Sequence, residues 1–257
     1  MHRISTDALI KLSSNRKVYT DISIMSAADM EMLSYVLLPE PLFGLLKGLE
    51  KKAVTNFYGA PGTGKTNISL ISSISVAKNG GKVIYIDTEG GFSPERFKQI
   101  AHNDMSYLNN ITILEPRTFQ EQGKIIREVQ DIEADLIVLD SAVSLYRLEN
   151  TDPKIEKLET SRELSKQLSI LSNIARDKEI PILITTHTFK NWDTGEDDTV
   201  GGDSIKYWSK SMVFIEKTSK TGERKATVTK HRSIEEGKSV KFQLVEDGIK
   251  PGKFSIF

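Results

Sequence analysis

From Leu37 onward the chain alternates between two kinds of hydrophobic pattern. Val54 to Tyr58, Lys82 to Asp87, Ile111 to Leu114, Leu136 to Asp140 and Ile180 to Thr186 are short, nearly continuous apolar runs. Runs of that length and composition predict strands covered on both faces. Between them the apolar positions recur at helical spacing. Ile68, Ile71, Ile74 and Val76 form a stripe over Asn67 to Lys78, closed by Asn79-Gly80-Gly81, and Leu164, Leu168, Leu171 and Ala175 form another. Ser93-Pro94 reads as the cap and first turn of a helix, and Thr118-x-x-Glu121 as a capping box opening one that runs to about Ile132. Leu42, Leu45 and Leu46 make a shorter helical face that stops at Gly48.

The rhythm changes after Thr188. Phe189 to Ser204 reads as a polar, glycine-containing loop, followed by strands at Met212 to Glu216, Ala226 to Lys230 and Val240 to Val245 with no helix between them. Alternating strands and helices followed by hairpins predict an α/β fold, a mostly parallel sheet flanked by helices and extended by an antiparallel C-terminal edge. Residues 1–36 are weakly periodic and are expected to be a loosely docked tail, leaving 37–257 as the domain.

Composition narrows this picture modestly. A chain of 257 residues suits one such domain. With 35 basic and 35 acidic side chains the net charge is zero, so any nucleic-acid surface has to be a local patch. Cysteine is absent, which excludes disulfides and thiolate metal sites. No apolar stretch is long enough to span a bilayer and no signal-peptide pattern opens the chain, so the expectation is a cytoplasmic protein without a membrane partner.

Candidate chemistry clusters at strand exits, where open α/β sheets hold their ligands. The first exit carries Gly59-Ala60-Pro61-Gly62-Thr63-Gly64-Lys65-Thr66, which fits the G-x-x-x-x-G-K-[ST] phosphate loop. In such a loop successive backbone N–H groups cradle phosphates, the lysine bridges β- and γ-oxygens, and the hydroxyl of Thr66 reaches Mg²⁺ at a helix N-terminus. Asp140, at the end of its strand, matches a carboxylate that holds the hydrated metal through water; its plainer role is to cap the next turn. Glu89 is placed to orient the water that attacks a terminal phosphate, against the alternative of a solvated loop carboxylate. His187 closes the set.

GAPGTGKT, LIVLDS, PILITTH and the run Asp87-Thr88-Glu89-Gly90-Gly91-Phe92-Ser93-Pro94-Glu95-Arg96 together resemble the RecA-type recombinase core, and within it the archaeal RadB family, from about Leu38 to the end. The phosphate loop is common to many ATPases; the D-T-E-G-x-F-x-P-E-R run is specific to the recombinase branch. The resemblance implies a RecA-type ATPase fold with ATP and Mg²⁺ as cofactors, DNA as a largely sequence-independent partner, and weak hydrolysis without strand exchange. It implies an accessory role in homologous recombination and DNA repair, beside a recombinase or a Holliday-junction nuclease that cleaves branched DNA. It makes Glu89 the catalytic carboxylate and stacks Arg96 on adenine.

One departure bears on coupling. The recombinase core usually carries Gln where this chain has His187, the residue that senses the γ-phosphate and informs the following loop. Imidazole cannot present an amide's donor and acceptor together. That loop also holds Asp193, Glu196, Asp197, Asp198 and Asp203 against Lys190, Lys206 and Lys210, so ATP turnover is expected to be insensitive to DNA. A basic excess around Arg224, Lys225, Lys230 and Arg232 is the expected DNA patch. Lys230-x-Arg232 also resembles the element by which some hexameric ATPases reach a neighbour's γ-phosphate, or serves as charge on an edge strand. Trp192, Tyr207 and Trp208 could stack on bases or pack the loop down. Two other classes stay open, an efficient oligomeric motor or signalling ATPase and a catalytically idle nucleotide switch.

Overall fold

Every strand predicted from an apolar run forms, and the pattern of burial explains why those runs are continuous. In the computed structural model, which describes residues 35–149, 154–190, 195 and 197–252, the described strands β3 (Val54–Tyr58), β4 (Val83–Asp87), β6 (Leu136–Asp140) and β7 (Ile182–Thr186) are buried along their whole length. Alternate residues enter two separate cores. Val83, Tyr85, Leu136, Val138 and Leu183 face one; Ile84, Ile86, Ile137, Leu139, Ile182 and Ile184 face the other. A strand between two helical layers has no solvent side to leave polar.

The layers follow from the helices. On one face lies α2 (Lys65–Lys78), with α1 (Leu42–Leu46) and α3 (Pro94–Ile100) near it. On the other lie α4 (Phe119–Glu128), α5 (Ser144–Glu149) and α6 (Lys154–Asp177). The predicted stripe of α2 is buried, and so are Ser69, Ser72 and Ser73 between its apolar positions. The hydroxyls of Ser72 and Ser73 satisfy themselves on the carbonyls of Ile68 and Ser69, one turn back, at 2.8 Å each. That is how a helix with a weak amphipathic pattern can be enclosed. Ser93 caps α3 by accepting from the Arg96 N–H. Thr118 caps α4, but the Glu121 carboxylate accepts from the Arg117 N–H, so the reciprocal half of the expected capping box is displaced by one residue.

Sheet order is β13-β12-β11-β10-β3-β7-β6-β4-β5, with β5 (Ile111–Leu114) at one edge and β10 (Ser211–Lys217), β11 (Glu223–Lys230), β12 (Ser239–Val245) and β13 (Gly248–Pro251) at the other. The antiparallel extension therefore begins one strand later than expected. β10 runs parallel to the phosphate-loop strand β3, and only β11 to β13 are antiparallel.

Several elements carry no clear sequence signal. β1 (Tyr35–Leu37) pairs with β2 (Gly48–Glu50), so Tyr35 and Val36, ahead of the expected domain edge at 37, belong to a sheet with residues inside it. The segment expected to be loop contains the hairpin β8 (Thr188–Lys190) and β9 (Asp197–Thr199) and then α7 (Gly202–Trp208). Expectations on residues 1–34, Trp192, Asp193 and Glu196 lie outside the described residues. Among the described residues no helix is long and apolar enough to cross a membrane.

Candidate functional site

The parallel strands deliver their carboxyl ends to one edge of the sheet, where the predicted strand-exit residues meet and Arg96 does not line the cleft. Pro61, Gly62, Gly64, Lys65, Thr66, Glu89, Asp140 and His187 line a single open cleft of about 270 Å³, joined by Leu244 from β12. Two glycines are required by geometry. A Cβ on Gly59 would lie 2.1 Å from the Ile215 carbonyl of β10, and Gly64, which caps α2 at φ +101°, would drive a Cβ to 2.9 Å from Leu244.

Lys65 is buried, and its ammonium donates to the carbonyls of Gly59 (2.8 Å) and Ala60 (3.0 Å) within its own loop. Those carbonyls stand where phosphate oxygens would be the better acceptors. Burial lowers the Lys65 pKa, while the carboxylates of Asp140 and Glu89 raise it. Asp140 is buried with both oxygens in use, accepting from Tyr85 Oη (2.8 Å) and from Thr185 Oγ1. Its pKa is raised by burial, against hydrogen bonds from Thr185, Tyr85 and Thr66. A carboxylate with one fixed donor on each oxygen and lone pairs to spare, beside the Thr66 hydroxyl, suits a metal held through its water shell. Among the described residues no cluster of three or more carboxylates or imidazoles could ligate a metal alone, so an ion here would need ligands from a bound nucleotide.

Glu89 is held by two donors on one oxygen. Oε1 accepts from His187 Nε2 at 2.6 Å and from Ser144 Oγ. The hydrogen bond from His187 is the main reason its pKa falls to about 2. With Glu89 ionised, the hydrogen bond needs its proton on His187 Nε2; Nδ1 is buried without a hydrogen-bond partner among the described residues. Ser144 comes from α5, and its hydroxyl is also 3.1 Å from that of Ser141. Neither α5 nor the role of Ser144 was legible in the sequence, because a six-residue helix is too short to show a periodic stripe.

Behind His187 the chain is tied down. Its carbonyl accepts from the Val200 N–H at 2.8 Å, and Asn56, Thr186 and Thr199 form a buried hydrogen-bonded row. In the hairpin Lys190 pairs with Asp197 (3.2 Å), and Lys206 of α7 pairs with Asp198 (2.8 Å). Trp208 donates to Ser165 Oγ at 3.1 Å and so packs α7 onto α6; Tyr207 remains exposed against its edge.

The basic residues of the extension do not gather. Arg224 donates to the carbonyl of Gly62 at the tip of the phosphate loop (3.0 Å). Lys225 pairs with Glu216 on the neighbouring strand (3.4 Å), and Lys230 donates to the carbonyl of Lys206. Arg232 grips the nearly buried carboxylate of Glu50 with two nitrogens. Lys230 lies opposite Met212 near the start of β10, level with Asn56 in the middle of β3. Neither it nor Arg232, whose donors go to Lys206 and Glu50, lines the cleft at the phosphate loop. Arg96 uses all five donors, on Asn67, Gln99 and the carbonyls of Val245, Glu246 and Gly248, so its plane is fixed and only its faces are left for stacking.

A phosphate loop on β3, carboxylates at the ends of β4 and β6, and β10 to β13 on the far side of β3 define a RecA-type core. The Rad51 family model matches residues 41–251. The DNA repair and recombination protein RadB of Methanobrevibacter smithii is 42% identical over 212 residues, 79% of this chain and 89% of that protein. RadB of Methanococcus maripaludis strain C5 is 43% identical over 208 residues, 80% of this chain and 94% of its own. A crystal structure of the RadB recombinase superposes with a TM-score of 0.71 at 29% identity, over 83% of this chain and 97% of that one. The chain belongs to the Rad51 family and, within it, to the RadB branch.

Proposed function

We propose that this protein binds Mg-ATP and DNA and serves homologous recombination and DNA repair as an accessory factor, hydrolysing ATP slowly and independently of DNA. The observation that carries the nucleotide reading is the convergence of Lys65, Thr66, Glu89 and Asp140 on one cleft behind a phosphate loop. In it, the loop from Gly59 to Thr66 holds the phosphates, Lys65 exchanges its two loop carbonyls for β- and γ-oxygens, and Arg96 offers a face to adenine. Bound Mg²⁺ would supply charge neutralisation at the β- and γ-oxygens, with Thr66 as ligand and Asp140 acting through water. Glu89, ionised well below neutrality, is a poor proton acceptor and works by orienting the attacking water.

Slow turnover follows from the hold on Glu89. Oε1 already accepts two hydrogen bonds, from His187 and Ser144, which fix the carboxylate's orientation and leave Oε2 as the less committed oxygen for a water. Insensitivity to DNA is supported by the ion pairs Lys190–Asp197 and Lys206–Asp198 and by the bond from Thr199 to Thr186 of β7, which hold the described residues of the hairpin without a bound strand. DNA contacts are assigned to the basic carboxyl-terminal strands through Lys225, Lys230 and Arg232, with little sequence preference. A recombinase or a junction-cleaving nuclease is the expected protein partner. The test is a fluorescent ATP titration with hydrolysis recorded alone and with single- and double-stranded DNA. Stimulation of about tenfold or more, some 1.4 kcal/mol of barrier, refutes the uncoupled mechanism.

A further inference from the structure

The β10–β11 hairpin brings two cations to the phosphate loop from the same chain. Lys217 closes β10 and is paired in register with Arg224 on β11. Because β10 is parallel to β3, both stand at the carboxyl edge, beside the loop on the side away from His187. Arg224 Nη2 donates to the carbonyl of Gly62 at 3.0 Å and Nη1 to its neighbour Glu223 at 3.0 Å, while Nε is buried without a partner. Lys217 Nζ lies 3.4 Å from where a Cβ on Gly62 would sit. Lys217 is exposed, and among the described residues no hydrogen bond or ion pair engages its ammonium.

Two like charges facing each other across an antiparallel pair repel, and ordinarily destabilise it. The hairpin carrying them is nevertheless rigid: Thr218 Oγ1 donates to the buried Glu223 at 2.9 Å, and the Leu244 N–H donates to the Gly222 carbonyl at 3.1 Å. A pair of cations against Gly62, Arg224 bonded to its carbonyl and Lys217 beside it with a free ammonium among the described residues, is a site prepared for an anion of more than one charge, and Gly62 itself lines the cleft. We propose that Lys217 contacts the terminal phosphate of a nucleoside triphosphate and that Arg224 is its positioning residue, holding the loop tip through Gly62. Positive charge that other phosphate-transfer sites take from a second subunit is here supplied in cis. The inference rests on the nucleotide reading above, and it removes Arg224 from the DNA surface.

The test compares affinities for a fluescently labelled ATP and the matching ADP in the full chain and in Lys65→Ala, Lys217→Ala, Lys217→Arg and Arg224→Ala, with thermal unfolding as the check on folding. Lys217→Ala should bind ATP about tenfold more weakly with ADP changed less than twofold, Lys217→Arg should restore most of the preference, and Arg224→Ala should lose part of it. Lys217 is exposed, so its variants fold even if Arg224→Ala does not. An unchanged ATP to ADP ratio in Lys217→Ala, an equal loss of both nucleotides, or a loss of DNA affinity alone overturns the proposal. Failure of the parent to bind ATP, or a Lys65→Ala that binds as well as the parent, overturns the nucleotide reading itself.

Discussion

The carboxyl edge of the parallel strands and the antiparallel extension treat functional residues in opposite ways. At the first, Lys65, Glu89, Asp140 and His187, up to 122 positions apart in the chain, line one cleft. In the second, Arg224 and Lys225 are adjacent in sequence and part company, one to the phosphate loop and one to Glu216. The cause is geometric. Parallel strands joined by crossover helices all end at the same edge, so residues at strand ends are gathered by topology. Residues along a strand are scattered, because successive side chains point to opposite faces. A count of charges on a strand is therefore a poor guide to a patch, and a residue type at a strand exit is a good guide to a site.

The hardest blow to the first region is Lys65→Ala. It should weaken ATP binding by at least about a hundredfold, about 2.7 kcal/mol, in a fluorescent titration; retained affinity would reduce the cleft to a coincidence of topology. Next, Glu89→Gln should lower turnover by about ten- to a hundredfold while leaving nucleotide affinity in place, as steady-state hydrolysis would show.

The second region is tested by stability rather than activity. Arg232→Ala strips the nearly buried Glu50 of its partner and should destabilise the fold by about 1–2 kcal/mol, read by urea unfolding. Lys225→Ala breaks only a half-exposed pair with Glu216 and should cost less than about 0.5 kcal/mol. Equal losses would mean that the burial of Glu50 does not set the cost of losing its partner.

Acid sharpens the contrast. Glu89 has its pKa lowered from an ordinary 4.5 to about 2, so its contribution to stability is complete above pH 4.5 and disappears as the pH falls towards 2. Unfolding midpoints of Glu89→Gln should consequently depend less on pH over that window than those of the parent. His187→Ala, which removes the leading cause of the shift, should flatten the same curve; an unaltered acid slope in both would show that the His187 contact does not hold Glu89 in solution.

Legibility followed the strength of local signals. β3, β4, β6 and β7 were readable because burial on both faces leaves an uninterrupted apolar run, and α6 because its stripe is long. The hairpin β8–β9 and β13 were not, since strands of three or four residues that are polar or mix polar and apolar positions show neither a period nor an apolar run. The capping of α3 by Ser93 was read correctly, while in α4 the Glu121 carboxylate chose the Arg117 N–H over that of Thr118, a choice between neighbours that spacing does not resolve.

The sequence by itself determined the phosphate loop, the strand-end carboxylates and the family, because each is written in contiguous residues whose chemistry is local. Only the tertiary structure decided that Ser144 and His187 share one oxygen of Glu89, that β10 runs parallel to β3, and that Arg224 serves the loop at Gly62. Those facts depend on which strand lies beside which and on the direction each runs. Pairing is settled by burying the whole sheet between its helical layers, so no single stretch of the chain contains it.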